Sequence, residues 1–293
     1  MTPGTAASPL QRAGAQPPGA DAVMAKAAHE NFPVASRLLP GDQREHLLAI
    51  YGFARLVDDI GDEAPGDRLA LLDWLEAEVE RLYDDGEPEH PLMRRLAGTV
   101  RTCRLSPEPL RALIAANRQD QAVQEYETID DLLAYCELSA NPVGRLVLEV
   151  FGAATPDRVR LSDAVCSGLQ LTEHWQDVAE DLARGRVYLP AQDMRRFGCT
   201  RDDLATPSAG PPVRRLLAFE VARARQLLDA GAPLVRRLRG RPALAVAAFM
   251  AGGRAALDAI ARADHDVLGR RPRPSTARRA VALARTLARP ASG

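Results

Sequence analysis

The chain contains 293 residues, of which 46% are hydrophobic and 26% are charged, a composition typical of a soluble globular protein with an ample core. Lysine and arginine together number 38 and aspartate and glutamate 39, so the net charge is −1, which argues against a protein whose main task is to bind nucleic acid. The four cysteines are isolated in the sequence. They indicate neither a disulfide framework nor a zinc site and favour a reducing, cytoplasmic environment.

The two ends of the chain differ in composition from its middle. Residues 1–20 are rich in Ala, Gly, Pro and Gln and carry one charge, which predicts a disordered tail. Residues 272–293 predict a flexible C-terminal tail in which a short helix is the only expected structure. No secretory signal is visible, and the uncharged stretch 242–253 is well short of the ~20 residues that span a bilayer. We therefore expect one domain at residues 21–271.

Between the tails, apolar residues recur at three- and four-residue spacing, which is the pattern of amphipathic helices. Pro and Gly interrupt this pattern, and no run of alternating β-branched residues marks a strand. The sequence predicts an all-α domain of seven to nine helices, in which Asn141-Pro142 breaks or kinks a helix. The helical stretches are 47–57, 69–82, 109–123, 132–151, 161–182, 213–238 and 244–268.

A first acidic motif ends one of these helices. Asp58 and Asp62 are four residues apart, so their side chains share one face about one turn apart. The two carboxylates repel each other, and a helix that turns them inward needs a cation to hold them. Mg²⁺ binds carboxylate oxygens and keeps waters and substrate phosphates as its other ligands. The alternative is a solvated acidic helix end before Pro65.

A second acidic motif repeats this spacing about 119 residues later. Asp177 and Asp181 share a face, and Gln170 and Glu173 extend the polar stripe along the same helix. A polar stripe on the protein surface is the alternative. If the two motifs face each other, they form a Mg²⁺ site that can grip a diphosphate and draw it away from an allylic or related carbon.

With these motifs the chain resembles the squalene/phytoene synthases, the head-to-head isoprenoid synthases, over about residues 24–270. Within the family it is most similar to the bacterial branch that makes hydroxysqualene in the hopanoid pathway. The resemblance implies an all-α, single-domain class I terpenoid synthase bundle around a central apolar cavity. The family stretches are 31–40, 49–62, 135–144, 170–181 and 184–190, and the branch stretches are 30–36, 139–145, 175–177 and 219–234.

The resemblance also implies roles for single residues. It implies that the aspartates bind metal ions. It implies that a basic residue on the first helix and two residues of a later loop bind the diphosphate, and that polar side chains line the reaction cavity. The implied metal ligands are Asp58, Asp59, Asp62, Asp177 and Asp181. The implied diphosphate-binding residues are Arg55, Arg186 and Tyr188, and the implied catalytic residues are Tyr51, Tyr135, Gln170 and Glu173.

The implied reaction converts presqualene diphosphate and water to hydroxysqualene and diphosphate. Its cofactor is Mg²⁺, with Mn²⁺ as a substitute, and NADPH is not expected, because the sequence lacks a Gly-rich phosphate loop after a strand. Most family members carry asparagine at Glu173 and arginine at Gln176. Loss of that arginine fits the hydroxysqualene branch, whereas Glu173 and His174 are unusual even there.

Two alternative interpretations remain open. One is a phytoene, dehydrosqualene or squalene synthase that condenses two prenyl diphosphates. The remote one is a non-catalytic family member that acts as an assembly factor, which we would expect to have lost its aspartates. The implied partner is a small isoprenoid diphosphate. We also expect peripheral contact with the inner face of the membrane and association with other hopanoid-pathway enzymes, and the sequence leaves the oligomeric state open.

Overall fold

The computed structural model describes residues 15–26, 39–84 and 86–288, and one isolated parallel β-bridge is the only β-structure in these ranges. The prediction of an all-α chain is therefore confirmed. The helices are α1 (Ala20–Ala25), α2 (Gly41–Asp62), α3 (Arg68–Arg81), α4 (Pro91–Cys103), α5 (Pro107–Asp120), α6 (Ile129–Ser139), α7 (Asn141–Val150), α8 (Pro156–Gln176), α9 (Val178–Ala183), α10 (Ala191–Phe197), α11 (Arg201–Leu204), α12 (Pro211–Ala230), α13 (Pro233–Arg237), α14 (Gly240–Arg262) and α15 (Thr276–Ala288).

Local sequence explains where several of these helices begin and end. Thr128 and Asp131 form a reciprocal capping box at the start of α6. Asn141-Pro142 separates α6 from α7, as the sequence predicts, because proline has no backbone N–H to continue the helix and fits its first turn. Asp177 interrupts the helix predicted at 161–182, since its backbone angles (φ −106°, ψ 13°) leave the helical region and divide α8 from α9.

Helix α4 was not among the predicted helices. It begins at Pro91, immediately after a stretch rich in Gly and Pro that reads as a turn, and proline at the first helical position is compatible with the helix. Its buried residues Leu92, Leu96 and Val100 recur every four residues, so the apolar period is present. The turn signal before it outweighed that period, and the prediction missed a helix that packs against α2.

Both predicted tails contain ordered, packed residues. Ala15 is 3% exposed, and the ring Nε2 of His90 lies 3.0 Å from the carbonyl oxygen of Pro18. At the other end α15 packs on α14, where Arg254 Nη1 donates to Thr286 Oγ1 at 3.0 Å. These contacts differ from the tails expected at 1–20 and 272–293. Residues 1–14 and 289–293 of those tails lie outside the described residues, as do the branch stretch 30–36 and residues 31–38 of the family stretch 31–40.

The core consists of two apolar clusters. One surrounds Phe53 and joins α2, α3, α4 and α5, and the other surrounds Trp175 and joins α8 and α12. Helix α7 lies between the clusters, with Val147 in the first and Leu148 in the second. The two acidic motifs end α2 and α8, one in each cluster, so the fold brings them to the junction of the two.

Helix α14 is, within the described part of the chain, the one helix long and apolar enough to cross a membrane. Buried positions make up 67% of its most apolar stretch, and Arg254 lies in the same helix with its guanidinium bonded to Asp229 at 2.8 Å. Helix α14 packs against α8, α12 and α15. These contacts are those of a core helix.

Candidate active site

The first acidic motif faces the interior of the bundle at Asp58. This side chain keeps accessible surface, yet surrounding protein desolvates it and raises the pKa of Asp58 to about 7, against the opposing effects of Arg55 and of Asn117, whose Nδ2 lies 3.4 Å from Asp58 Oδ1. Tyr51 is buried on the same helix two turns earlier. Asp58 therefore combines an accessible side chain with a carboxyl group whose ionised form is disfavoured.

Asp59 points to different partners. Its Oδ1 lies 2.9 Å from Lys26 Nζ and 2.7 Å from Arg55 Nε, and its side chain is 6% exposed. Lys26 also contacts Glu63 Oε2 at 2.7 Å. The resemblance groups Asp59 with the metal ligands, but in this structure two cations already neutralise its carboxylate. Asp59 joins α1 to α2, and Lys26 is a contributor that the sequence analysis did not identify.

Arg186 joins the two halves of the site. Its Nη2 lies 2.8 Å from Asp62 Oδ1 at the end of α2. Burial alone would lower the pKa of Arg186, but Tyr188 and Asp62 raise it above its ordinary value, so the guanidinium stays charged. A backbone bond from Val187 N to Gln124 O (2.8 Å) fixes the loop that carries Arg186. The predicted diphosphate residue Arg186 thus reaches the first motif from the loop after the second.

Asp120 lies between the motifs and was not predicted. Tyr135 Oη donates to Asp120 Oδ2 at 2.8 Å. The pKa of Asp120 is raised to about 6, mainly by burial. The charges of Asp62 and Asp181 add to this rise, and the Tyr135 hydrogen bond and the charge of Arg186 oppose it. One carboxylate that senses Asp62 and Asp181 together shows that α2 and α9 converge. Predicted residues Asp62, Asp181 and Tyr135 therefore share a single electrostatic environment.

An aromatic and amide wall adjoins this cluster. His174 and Tyr188 stack with their ring centroids 3.7 Å apart, and Tyr135 and Tyr126 lie against Tyr188 at 5.9 Å. Gln170 Nε2 lies 3.2 Å from His174 Nε2. Burial lowers the pKa of His174, against the opposing effect of Asp181, so the neutral imidazole is favoured. His174 is a second site residue to which the sequence analysis gave no role.

Asp177 is held by the C-terminal segment. Its Oδ1 lies 2.6 Å from Arg271 Nε, and the neighbouring Gln176 donates from Nε2 to the carbonyl oxygen of Pro272. Burial raises the pKa of Asp177 to about 7, Arg271 opposes the rise, and nearby acids including Glu173 add to it. The second motif therefore carries an arginine where the prediction expects a metal ion.

Glu173 lies one turn before Asp177 at the rim of an apolar groove of about 460 Å³. The groove runs between α8, α14 and the inner side of α15. Gly253 permits the close approach of α14, because a Cβ there would lie 2.5 Å from Leu169 Cδ2. The wall of the groove includes Leu169, Phe249, Gly252, Ala256, Ala280 and Leu283.

No three His, Cys, Asp or Glu side chains in the described ranges form a ready metal cluster. The predicted ligands are instead separated, with Asp62 paired to Arg186 and Asp177 to Arg271. Asp58 and Asp177 have raised pKa values because desolvation by burial outweighs the opposing charges of Arg55 and Arg271. Carboxylate oxygens suit Mg²⁺. Asp58, Asp62, Asp177 and Asp181 therefore offer donor atoms that could hold divalent cations.

This geometry defines a helical-bundle site rich in carboxylates, and comparison with known proteins identifies its family. A family model described as squalene/phytoene synthase matches residues 25–279. Similar relatives are a hydroxysqualene synthase of Rhodopseudomonas palustris (37% identical, 72% of each chain covered) and a phytoene synthase of Arthrospira platensis (31%, 83% of each). The chain belongs to the squalene/phytoene synthase family and is an isoprenoid-processing enzyme, as the sequence predicts.

Solved structures agree with this assignment. The squalene synthase HpnC from Alicyclobacillus acidocaldarius is 43% identical, with a TM-score of 0.79 over 84% of this chain and 94% of that one. A dehydrosqualene synthase in complex with ligand gives a TM-score of 0.81 over 96% of this chain and 98% of that one, and at 23% identity it supports the fold alone. The predicted isoprenoid synthase fold is confirmed.

Proposed function

We propose that this enzyme converts presqualene diphosphate and water to hydroxysqualene and diphosphate in hopanoid biosynthesis. The observation that carries the proposal is the convergence of both acidic motifs on Arg186 and Asp120 beside a wall of tyrosines, a glutamine and a neutral histidine. Similarity to hydroxysqualene synthases of Rhodopseudomonas palustris and Sinorhizobium fredii (37% and 35% identical) supports it.

The acidic end of the site binds the diphosphate. Asp58, Asp62, Asp177 and Asp181 hold Mg²⁺, or Mn²⁺ in its place, which supplies Lewis acidity to the departing diphosphate. Metal binding requires ionised carboxylates. Because the pKa values of Asp58 and Asp177 are raised to about 7, binding of the ion favours release of a proton from each of these residues. Arg186 exchanges part of its contact with Asp62 for the diphosphate oxygens, as guanidinium geometry favours.

The wall beside that end handles the cation. Tyr135 and Tyr188 present aromatic faces that stabilise positive charge at close range. Gln170 and the neutral His174 form a polar pair that can hold the capturing water and accept its proton. The apolar groove beside Glu173 takes hydrocarbon, since burial of apolar surface supplies most of the affinity for such a ligand.

The decisive experiment supplies presqualene diphosphate with Mg²⁺ in ¹⁸O-labelled water without NADPH. The proposal expects hydroxysqualene that carries one ¹⁸O atom, because the hydroxyl oxygen comes from solvent. Asp177→Asn serves as the inactive control. A hydrocarbon product, or an alcohol without label, would overturn the proposal.

The second candidate is a synthase that condenses two prenyl diphosphates, and the 31% identity to a phytoene synthase over 83% of each chain favours it. Farnesyl diphosphate alone, with the same detection of products, separates the two. The hydroxysqualene proposal expects no product from farnesyl diphosphate. Formation of presqualene diphosphate or phytoene-type hydrocarbon from prenyl diphosphates would favour the second candidate.

Glu173 has two roles open to it under this proposal. Its proximity to Asp177 and its contribution to the raised pKa of Asp177 favour metal ligation, which we prefer to positioning of the capturing water. In Glu173→Asn, a changed Mg²⁺ requirement with unchanged alcohol supports ligation. A shift to dehydrated hydrocarbons supports water positioning. Unchanged rate, metal dependence and product would exclude both roles.

Peripheral contact with the inner face of the membrane belongs to the same proposal, because substrate and product both carry a large hydrocarbon part. Association with other hopanoid-pathway enzymes stays a prediction. Co-purification of pathway enzymes with the tagged full chain tests that association, and recovery of the chain without them under mild lysis would count against it.

A further inference from the structure

The C-terminal part of the chain carries a strong local charge. Residues 269–288 contain six arginines and no aspartate or glutamate, whereas the whole chain has a net charge of −1. The remainder of the molecule is therefore acidic by about the same amount. We call residues 269–288 the basic segment. A charge so concentrated attracts an anionic partner over roughly a Debye length.

Most arginines around the basic segment lack acidic partners. Arg262, Arg270, Arg273 and Arg278 line an open cleft of about 950 Å³ and form no ion pair with any residue that the structure describes. Asp266, the one acid in that cleft, is already paired with an arginine of α12. Other exposed arginines of the described chain, such as Arg44 and Arg101, also lack an ion pair, whereas these four line one cleft.

The outward face of α15 is apolar. Val281 and Leu287 are 51% and 50% exposed, and Leu69 is the one other large hydrophobic residue so exposed in the described ranges. Three- and four-residue spacing places exposed small and apolar side chains on a single strip of the helix. Arg278, three residues before Val281, and Arg285, four residues after it, lie at the edge of this strip. The strip consists of Ala277, Val281, Ala284 and Leu287.

We propose that α15 docks the enzyme on an anionic lipid surface. An apolar strip edged by unpaired arginines matches the interfacial region of a bilayer, in which aliphatic side chains enter the acyl boundary and guanidinium groups reach the headgroup phosphates. A free phosphate would satisfy the arginines and leave the strip exposed. At 13 residues α15 is about 20 Å long, which suits a helix that lies in the interface plane.

The same helix forms one side of the apolar groove. Leu283 and Thr276 line the groove on the inner side of α15, whereas Val281 and Leu287 are exposed away from it, Val281 at a cleft that also contains Asp229 and Asp258. A docked α15 therefore separates the lipid from the groove by the width of one helix. This consequence rests on the proposed function, because it gives a substrate and an alcohol that both carry a large hydrocarbon part a short path to the membrane.

Sedimentation with lipid vesicles tests the docking directly. The full chain is mixed with vesicles of phosphatidylcholine alone and with vesicles of equal parts phosphatidylcholine and phosphatidylglycerol. We expect binding to the anionic vesicles only. Arg278→Gln with Arg285→Gln should weaken it about thirtyfold, since each arginine contributes roughly 1 kcal/mol near an anionic surface. Val281→Ser with Leu287→Ser should weaken it at least about tenfold.

Matched variants keep the test specific. Leu69→Ser removes the equally exposed leucine of α3, and Arg44→Gln with Arg101→Gln removes two exposed arginines of α2 and α4, so both should bind vesicles as the natural chain does. Circular dichroism establishes that each variant folds. Equal binding to neutral vesicles, absence of binding, or equal losses in the control variants would overturn the proposal.

The outcome is separable from the proposed function. Val281→Ser with Leu287→Ser should turn over detergent-dispersed presqualene diphosphate at the natural rate while losing vesicle binding. Vesicle binding by an enzyme that makes another product would leave the docking intact. If inorganic diphosphate binds with an affinity that falls in Arg278→Gln with Arg285→Gln while vesicles do not bind, the basic segment is a soluble-anion site and the docking proposal is wrong.

Discussion

Arg271 Nε lies 2.6 Å from Asp177 Oδ1, so the C-terminal segment places a guanidinium on the central carboxylate of the second acidic motif. The two residues are 94 positions apart in the sequence. Arginine supplies one positive charge, whereas Mg²⁺ supplies two and binds carboxylate and phosphate oxygens directly. The contact therefore competes with the ion that the site is proposed to bind.

Arg271→Gln should lower the Mg²⁺ concentration needed for diphosphate binding by up to about fivefold, the range of a partly exposed ion pair. Titration calorimetry at a pH above 8 measures this, because Asp177, whose pKa is about 7 beside Arg271, is then ionised in the natural chain. Arg270→Gln removes a neighbouring arginine that has no ion pair in the described structure and is the control. An increased Mg²⁺ requirement would show instead that Arg271 binds the diphosphate.

Asp58→Asn and Asp177→Asn should each reduce turnover at least about a hundredfold, or about 2.7 kcal/mol at the barrier. Each substitution removes a carboxylate charge from a site proposed to hold several Mg²⁺ ions and a diphosphate. Helicity by circular dichroism should not change, because neither carboxylate is part of the core. Retention of more than about a tenth of the natural rate, a loss of only ~1.4 kcal/mol, would remove these aspartates from the site.

Asp59→Asn is the informative companion to those variants. It leaves Lys26 and Arg55 without their shared carboxylate, so we expect a lower melting temperature together with a smaller loss of turnover. A loss of turnover as large as that of Asp58→Asn, with unchanged melting temperature, would show that Asp59 is a metal ligand, as the family resemblance implies.

Glu220→Gln should flatten the dependence of stability on pH. Burial raises the pKa of Glu220 to about 8, against the opposing charge of Arg223, so between about pH 5 and pH 8 the folded protein holds a proton that the unfolded chain has lost. Stability therefore falls as pH rises through that window, by up to about 1.4 kcal/mol per unit. Glutamine keeps the shape without the titration.

Thermal unfolding at the two ends of that pH window measures the effect. From the acidic to the alkaline end of the window, the melting temperature of the natural chain should fall further than that of Glu220→Gln. Glu76→Gln, which alters a glutamate at the surface pair with Arg118, is the control and should keep the natural slope. Equal slopes in the natural chain and Glu220→Gln would mean that Glu220 does not titrate in this range.

Gly61→Ala should destabilise the fold by about 1–3 kcal/mol, the usual range for overpacking. A Cβ at Gly61 would lie 2.0 Å from Asn117 Oδ1, so α2 and α5 must separate or Asn117 must turn away from Asp58. Gly98→Ala is the matched control, because no atom lies within 4 Å of a Cβ there and alanine favours the helix by up to about 1 kcal/mol. Equal melting temperatures for both variants would contradict the close contact.

Helical spacing was sufficient to predict what lies within one turn. The period of 3.6 residues places Asp58 and Asp62 on one face, and it places Asp59 about 100° away, where the structure gives it Lys26 and Arg55 as partners. The resemblance assigned Asp59 by its place in the motif, and a motif does not record which way a side chain turns. The local geometry of the first motif was therefore predictable, whereas its ion pairs were not.

The site residues that the sequence did not predict depend on contacts between distant parts of the chain. Asp120 had a weak local signal, since it follows Asn117 on a helix face that is otherwise apolar at Leu113. Its bond to Tyr135 and its proximity to Asp181 depend on how α5, α6 and α9 meet, which periodicity does not specify. The pairing of Arg271 with Asp177 is of the same kind.

Lys26 is the single lysine of the chain, and its ammonium joins α1 to Asp59 and Glu63 at the end of α2. Burial lowers the pKa of Lys26, but hydrogen bonds to Glu63 and Asp59 outweigh this effect and raise it above its ordinary value. The raised pKa reduces the amount of free amine, which is the form that acylating reagents attack. An amine-directed label will therefore modify only one side chain in this protein, beside the α-amino group. Its rate of attachment reports, from a single nitrogen atom, how tightly the first acidic motif is held.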